Sequence, residues 1–321
     1  MQKIIDNIKK KPISLDQYIN DCLYKYKSSY YEKDLIFGPR GDFITSPYIS
    51  SIFGEIIAIF IINYFLKKKI FSFKILEIGA GEGLLAEDII KTISKFKNIK
   101  CQYYIIEKSK KLKKIQKNKL SKLKVKWFQS LEDVKIKDCF IVSNELLDAF
   151  AVKHFKKIND VWNEKFVKYD FKKKNLITKY FKITKKNHKI FNFVDKECNF
   201  IEFSPDIFKF VTGISKVLMN SKNNFFLTID YGYNSERYRN SLQGLMKHKK
   251  VDIFSNQGFV DITYLVNFNL IKSIFQKNKV SNVNISTQSD FLKKNGIIER
   301  FNQSKKLLDS DEKISKLHLA V

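Results

Sequence analysis

Proline and glycine are scarce in this chain, with 4 and 11 among 321 residues. No internal repeat and no disordered linker is visible. Cysteine is equally sparse. Cys22, Cys101, Cys139 and Cys198 lie far apart and never form a CxxC pair, and the four histidines do not gather beside them. A disulfide framework and a structural zinc site are therefore not expected, and no metal site of any kind is read from the sequence. Cys101 and Cys139 both open apolar runs and read as buried free thiols, as a reducing compartment would keep them. Long apolar stretches are missing too. The longest, "IIAIFIINYFL" (56–66), falls short of the roughly 20 residues that span a bilayer. The opening "MQKIIDNIKKKPIS" has no apolar core of a signal peptide. A bacterial cytoplasmic location is the expectation.

Acidic residues are the minority charge, 33 against 60 lysines and arginines, for a net charge of +27. Two explanations stay open: an anionic partner such as RNA or a lipid surface, and a drift toward residues of A/T-rich codons. The even spread of lysine along the chain favours drift, and nucleic acid is not excluded by charge. Hydrophobic residues make up 44%, so the chain can bury a substantial core.

Periodicity predicts helices over 14–31, from about 50 to 66, over 84–96 and over 108–123. Ser14 is the candidate N-cap of the first, with Leu15, Tyr18, Ile19 and Cys22 on one face. Short apolar runs at 73–79, 101–107, 139–145 and 225–232 read as strands. Strands alternating with helices imply an α/β fold, a mostly parallel sheet with helices on both faces. Residues 152–203 alternate polar and apolar instead and read as an antiparallel β insertion. The expected division is an N-terminal helical region over 1–69 and a second domain over 70–321 that carries the insertion.

The chemistry-bearing stretch is "KILEIGAGEGLLAED". Gly79, Gly81 and Gly83 lie between a strand and a helix, with Glu77 and Glu82 among them. A tight turn, a dinucleotide site and a nucleoside site without phosphate all need such glycines. The spacing is GxGxG, against GxGxxG for dinucleotides. A pyrophosphate would meet repulsion from Glu77, whereas the ammonium and sulfonium groups of S-adenosylmethionine would be attracted. Glu107 ends the next strand, 28 positions after Gly79, and can accept both ribose hydroxyls. Taken together, strand, glycine loop, helix, strand and terminal acid favour S-adenosylmethionine over a nicotinamide or flavin dinucleotide.

The motifs "GDFITSP", "FGE", "SNELLDAF", "IEFSP", "IDYGY", "DIT" and "TQSDFLKKNGIIER", spread over residues 41–300, together resemble the MidA family of class I methyltransferases. The resemblance implies a Rossmann-like class I fold. It also implies an S-adenosylmethionine-dependent protein methyltransferase acting on arginine. The family includes an enzyme needed in mitochondria for assembly of respiratory complex I, so a complex I subunit is the implied partner. Carried over by position, Gly79, Gly81 and Glu107 would bind the cofactor, with Glu77 and Gly83 added from the reading of the loop above, and Thr45, Ser46 and Pro47 would close over it. Asn144, Glu145 and Asp148 would stand at the reaction centre. If the chain turns helical after Glu145, that residue and Asp148 share a face and could grip one guanidinium; Asp148 could equally be a helix N-terminal acid. Asp230 faces the same crevice or caps a turn. His248 orients a carboxylate or is merely exposed. Tyr231 and Tyr233 line a wall or fill the core. Thr45 and Ser46 could instead cap the helix beginning near Ser50. Tyr48, Ala151, Leu265 and Asn267 depart from the family pattern. They leave open an RNA or small-molecule methyltransferase, or a cofactor-binding assembly factor without chemistry.

Overall fold

A computed structural model describes residues 2–32, 46–183, 189–195 and 197–305. The chain divides into two compact units made of interleaved stretches. One comprises Phe37–Glu145, Gly213–Ile229 and Asn284–Val321; the other comprises Met1–Ile36, Leu146–Thr212 and Asp230–Val283. This division cuts across the boundary at residue 69 read from the sequence.

The first unit is built on five parallel strands: β1 (Ser72–Ile78), β2 (Lys100–Ile106), β3 (Val125–Phe128), β4 (Cys139–Asn144) and β5 (Phe225–Ile229). Their order is β5-β4-β1-β2-β3. Consecutive residues Phe140, Ile141 and Val142 are all fully buried, so both faces of the sheet are covered. That is why these strands read as continuous apolar runs and not as alternation. Helices Ile52–Leu66 and Leu84–Ile93 bring Ile57, Ile61, Phe65, Leu85 and Ile89 against Phe73, Ile75, Tyr103, Phe140 and Val142. Each such side chain is worth about 1.5–3 kcal/mol when fully buried. The strand order reverses between β1 and β4, and in open α/β sheets ligands bind at that place.

Several elements differ from the sequence expectation. The strand β3 was not anticipated; four residues, "VKWF", are too few for a period to show, and pairing with β2 decides them. The helix expected over 108–123 is Lys110–Lys119, started by Ser109, whose hydroxyl accepts from Leu112 N at 3.2 Å. In the other unit, the helix expected over 14–31 is a short α-helix, Leu15–Asn20, followed by a wider π turn, Asp21–Lys25. Ser14 does not cap it with its side chain. It is extended, paired with Phe166, and its hydroxyl donates to Asp16 at 2.5 Å.

The antiparallel insertion is present as strands Lys153–Ile158, Val161–Asp170, Asn175–Lys182 and Phe200–Phe203. Phe155 and Phe203 stack within its core, while Phe171 at the hairpin tip is exposed. All four cysteines are free thiols; Cys139 is buried and Cys101 only partly so. Among the described residues no helix is long and apolar enough to cross a membrane.

Gly54 lies on the helix Ile52–Leu66 directly against the helix Leu84–Ile93. A Cβ added there would come within 2.5 Å of Asp88 Cβ. Alanine ordinarily favours a helix over glycine by about 1 kcal/mol. Here Gly54→Ala is expected to cost about 2 kcal/mol in urea unfolding, because two helices must separate. Adding Asp88→Gly should restore much of the loss. An alanine variant as stable as the parent would show that the contact is not tight.

Candidate active site

The glycine loop leaves the C-terminal end of β1. Gly79, Gly81 and Gly83 have φ of 72°, 52° and 84°, the left-handed region that side chains resist. Gly79 N–H donates to Ile106 O at 2.9 Å and Gly83 N–H to Ala80 O at 2.7 Å, so the loop is held to the end of β2 and to itself. Gly83 is also the cap position of the helix Leu84–Ile93. The free N–H groups and partial positive charge of that helix start therefore follow the loop directly.

Two acids flank the loop. Glu77 is buried within the sheet, and its Oε2 accepts from the Tyr103 hydroxyl at 2.9 Å. Burial pushes its carboxyl up to about 7, with the Tyr103 hydrogen bond opposing and the Glu107 charge adding. Glu107 stands just past β2. Its Oε1 accepts from Ser109 N at 2.9 Å and its Oε2 from Gln116 Nε2 at 3.1 Å. Gln116 was not singled out from the sequence. It is fully buried, donates also to Gly81 O at 2.8 Å, and accepts from Trp127 Nε1 at 3.0 Å. A signal was present: Leu112, Gln116 and Leu120 recur every four residues, which puts an amide on the apolar stripe of a lysine-rich helix.

At the end of β4, Asn144 Nδ2 donates to Glu145 Oε1 at 3.2 Å, while Asn144 Oδ1 is shielded from solvent and has no partner among the described residues. Glu145 has φ of 49°, a left-handed backbone in a residue other than glycine. Its N–H donates to Ile229 O at 2.8 Å, which holds the turn. Strain of this kind concentrates at functional sites. No helix follows; residues 145–150 form turns, so the shared helical face of Glu145 and Asp148 does not arise, nor does a helix N-terminus for Asp148.

Asp148, buried, belongs to the second unit, as does Asp230. Asp230 Oδ2 accepts from Leu146 N at 3.1 Å and Leu147 N at 2.7 Å, and Oδ1 from Tyr231 N at 2.9 Å. It is the brace of that turn. Burial holds its carboxyl well above the usual carboxylate range, against those donors. Tyr231 is exposed, and Tyr233 is buried with its hydroxyl accepting from Arg239 N at 3.1 Å. His248 is exposed at a hairpin turn, with φ of 61°. Asn267 caps the helix Phe268–Lys277 through Leu270 N. Glu202 of "IEFSP" gathers His154 Nε2 at 2.6 Å, Leu242 N at 3.1 Å, and both the N–H and hydroxyl of Ser241. That buried cluster gives the motif a structural role the sequence did not reveal.

Of the N-terminal segment, Thr45 lies outside the described residues. Ser46–Ile49 forms one helical turn, and the Ser46 hydroxyl accepts from Gln288 Nε2 at 3.2 Å. Pro47 is half-buried. The following helix takes its side-chain bond from Ser50, whose hydroxyl accepts from Ile52 N at 3.1 Å. Tyr48 lies beside Glu82 of the glycine loop; burial and then that carboxylate raise its hydroxyl.

The residues of the first unit fit a nucleoside with a cationic tail. The glycine backbone admits close approach, and Glu107 can accept ribose hydroxyls. No group of metal-ligating side chains occurs among the described residues. When bound, the cofactor supplies an activated methyl group and its own leaving group. The protein's part is to bind, align and exclude water.

The Glu77 carboxyl gives a test. It takes up a proton more readily in the folded chain than in the unfolded one, where its value is near 4.5. Its stabilising contribution is therefore complete below about pH 4.5 and is lost as pH rises through about 7. Glu77→Gln should lack about 3 kcal/mol of that decline, measured as the wild-type-minus-variant difference in urea unfolding across this window. Equal slopes would show that Glu77 is not buried as described.

Residues 56–286 match the family of MidA-like S-adenosyl-L-methionine-dependent methyltransferases. Among curated relatives, protein arginine methyltransferase NDUFAF7 of Homo sapiens is 28% identical over 331 residues, covering 95% of this chain and 74% of that protein. Its homologue in Caenorhabditis elegans is 27% identical over 332 residues, covering 92% and 76%. A crystal structure from Burkholderia thailandensis, bound to S-adenosyl-homocysteine, superposes with a TM-score of 0.82 at 20% identity, over 100% of this chain and 87% of that one. The fold is thus the Rossmann-like class I fold, and the chain belongs to the MidA-like family of S-adenosylmethionine-dependent methyltransferases.

Proposed function

We propose that the chain transfers a methyl group from S-adenosylmethionine to an arginine side chain of a protein. The observation that carries this reading is the end of β4. There a carboxylate, Glu145, is held in a strained left-handed turn beside an amide oxygen, Asn144 Oδ1, that lacks a donor among the described residues. A guanidinium is the ligand that offers both a full positive charge and several N–H donors in one plane. It is protonated in water, with a pKa above about 12, so carboxylates must polarise it and absorb charge as the methyl arrives. Glu145 is assigned to the guanidinium, and Asn144 accepts from one of its N–H groups. Relatives named as protein arginine methyltransferases match almost the whole chain, which supports the same reading. A respiratory complex I subunit is the candidate substrate by family analogy, and the cytoplasm the candidate setting.

The net charge of +27 favours a second reading, methylation of RNA. Incubation with labelled S-adenosylmethionine and either protein or RNA separates the two. Glu145→Gln should lower methyl transfer to protein by about 10²–10³-fold. Its affinity for S-adenosylhomocysteine should change by no more than about threefold, since the lost charge acts on the substrate. Full activity in that variant would remove Glu145 from the chemistry, and labelled RNA with unlabelled protein would replace the reading.

A further inference from the structure

We infer that Gln116 is the positioning residue that gives the cofactor site its preference for an intact ribose, by orienting Glu107 and tying it to the glycine loop. An amide can be placed two ways round, and only one of them works here. Trp127 Nε1 is a donor with no acceptor capacity, and it lies 3.0 Å from Gln116 Oε1. The Nε2 group is thereby turned toward Gly81 O at 2.8 Å and Glu107 Oε2 at 3.1 Å. The flipped amide would set N–H against N–H at Trp127 and oxygen against two oxygens at the other end. Each of the two amide hydrogens has one acceptor, and the side chain is 0% exposed, so water does not compete.

Three separate elements meet on this one side chain: the loop after β1, the acid after β2, and the strand β3. Glu107 Oε1 is held from the other side by Ser109 N at 2.9 Å. The carboxylate is therefore oriented by one donor on each oxygen before any ligand arrives, which spares the ordering cost of binding. Packing alone would put leucine at this position, as at Leu112 and Leu120 on the same stripe. A buried amide costs stability unless fully bonded. A lysine, common on the rest of this helix, would pair with Glu107 and compete with hydroxyl donors. The neutral amide orients the carboxylate without neutralising it.

The inference rests on family membership and on Glu107 receiving the ribose, not on the choice of methyl acceptor. Calorimetric titration of the full chain with S-adenosylhomocysteine and with its 2′,3′-dideoxyribose counterpart tests it. The parent should prefer the intact ribose. Gln116→Leu should bind S-adenosylhomocysteine about tenfold more weakly, with the dideoxy compound unchanged, so that the preference shrinks by the same factor. Gln116→Glu keeps the shape and the acceptor for Trp127, and serves if the leucine variant is poorly folded. Its preference should collapse at pH 8, where two carboxylates face each other, and recover toward pH 5, where the new carboxyl can donate. Equal weakening of both compounds would mean that Gln116 only packs. An unchanged preference in either variant would overturn the inference, and so would a parent that does not distinguish the two compounds.

Discussion

Three successive left-handed glycines are the constraint on which the cofactor side of this protein depends. A strand that ends at Ile78 must become a helix by Leu84, with the ligand passing over the turn between them. Any side chain at Gly79, Gly81 or Gly83 would cost roughly 1–2 kcal/mol in backbone strain, and at Gly83 its Cβ would also come within 3.3 Å of Leu120. With glycine there, the backbone comes close to the ligand, the helix start stays open, and the acids at the ends of neighbouring strands face a bare peptide surface. The reversal of strand order between β1 and β4 puts this turn where an open parallel sheet leaves a crevice.

A second constraint is the number of carboxylates taken out of water. Glu77, Glu107, Asp230 and Glu202 are each buried or half-buried, and none could stay so without donors. The solutions differ in a way that matches their work. Glu202 is surrounded by four donors from His154, Ser241 and Leu242, and is a structural fastening. Asp230 spends its oxygens on the backbone of 146–147 and 231, and so fixes the turn that carries Asp148. Glu77 accepts from the Tyr103 hydroxyl, and its carboxyl is pushed up to about 7.

The two units divide the labour. The parallel sheet holds the residues suited to the cofactor, and lysines crowd the helix Lys110–Lys119. The second unit carries the antiparallel insertion and the turn with Asp148 and Asp230. Departures from the family pattern are absorbed locally where the structure explains them. Asn267 caps a helix as an aspartate would, and Tyr48 lies beside Glu82.

Much of the fold was legible because it is written in short-range physics. The glycine triplet, the alternation of apolar strands with helices, and the two-residue period of 152–203 each report backbone conformation or burial within a few residues. The acids at strand ends were legible for the same reason, since their positions follow from the strands. What the sequence left open was settled by partners far apart in the chain. Asp230 became a turn brace because Leu146 and Leu147 present N–H groups to it across more than eighty residues. Gln116 acquired its place because Gly81, thirty-five residues earlier, and Trp127, eleven later, meet it at one point. Glu145, read from the sequence as the end of a strand, took a left-handed turn, with its N–H bonded to Ile229. Periodicity carries no record of such pairings, because they are made by packing, and a hydrogen bond between distant residues has no local signature.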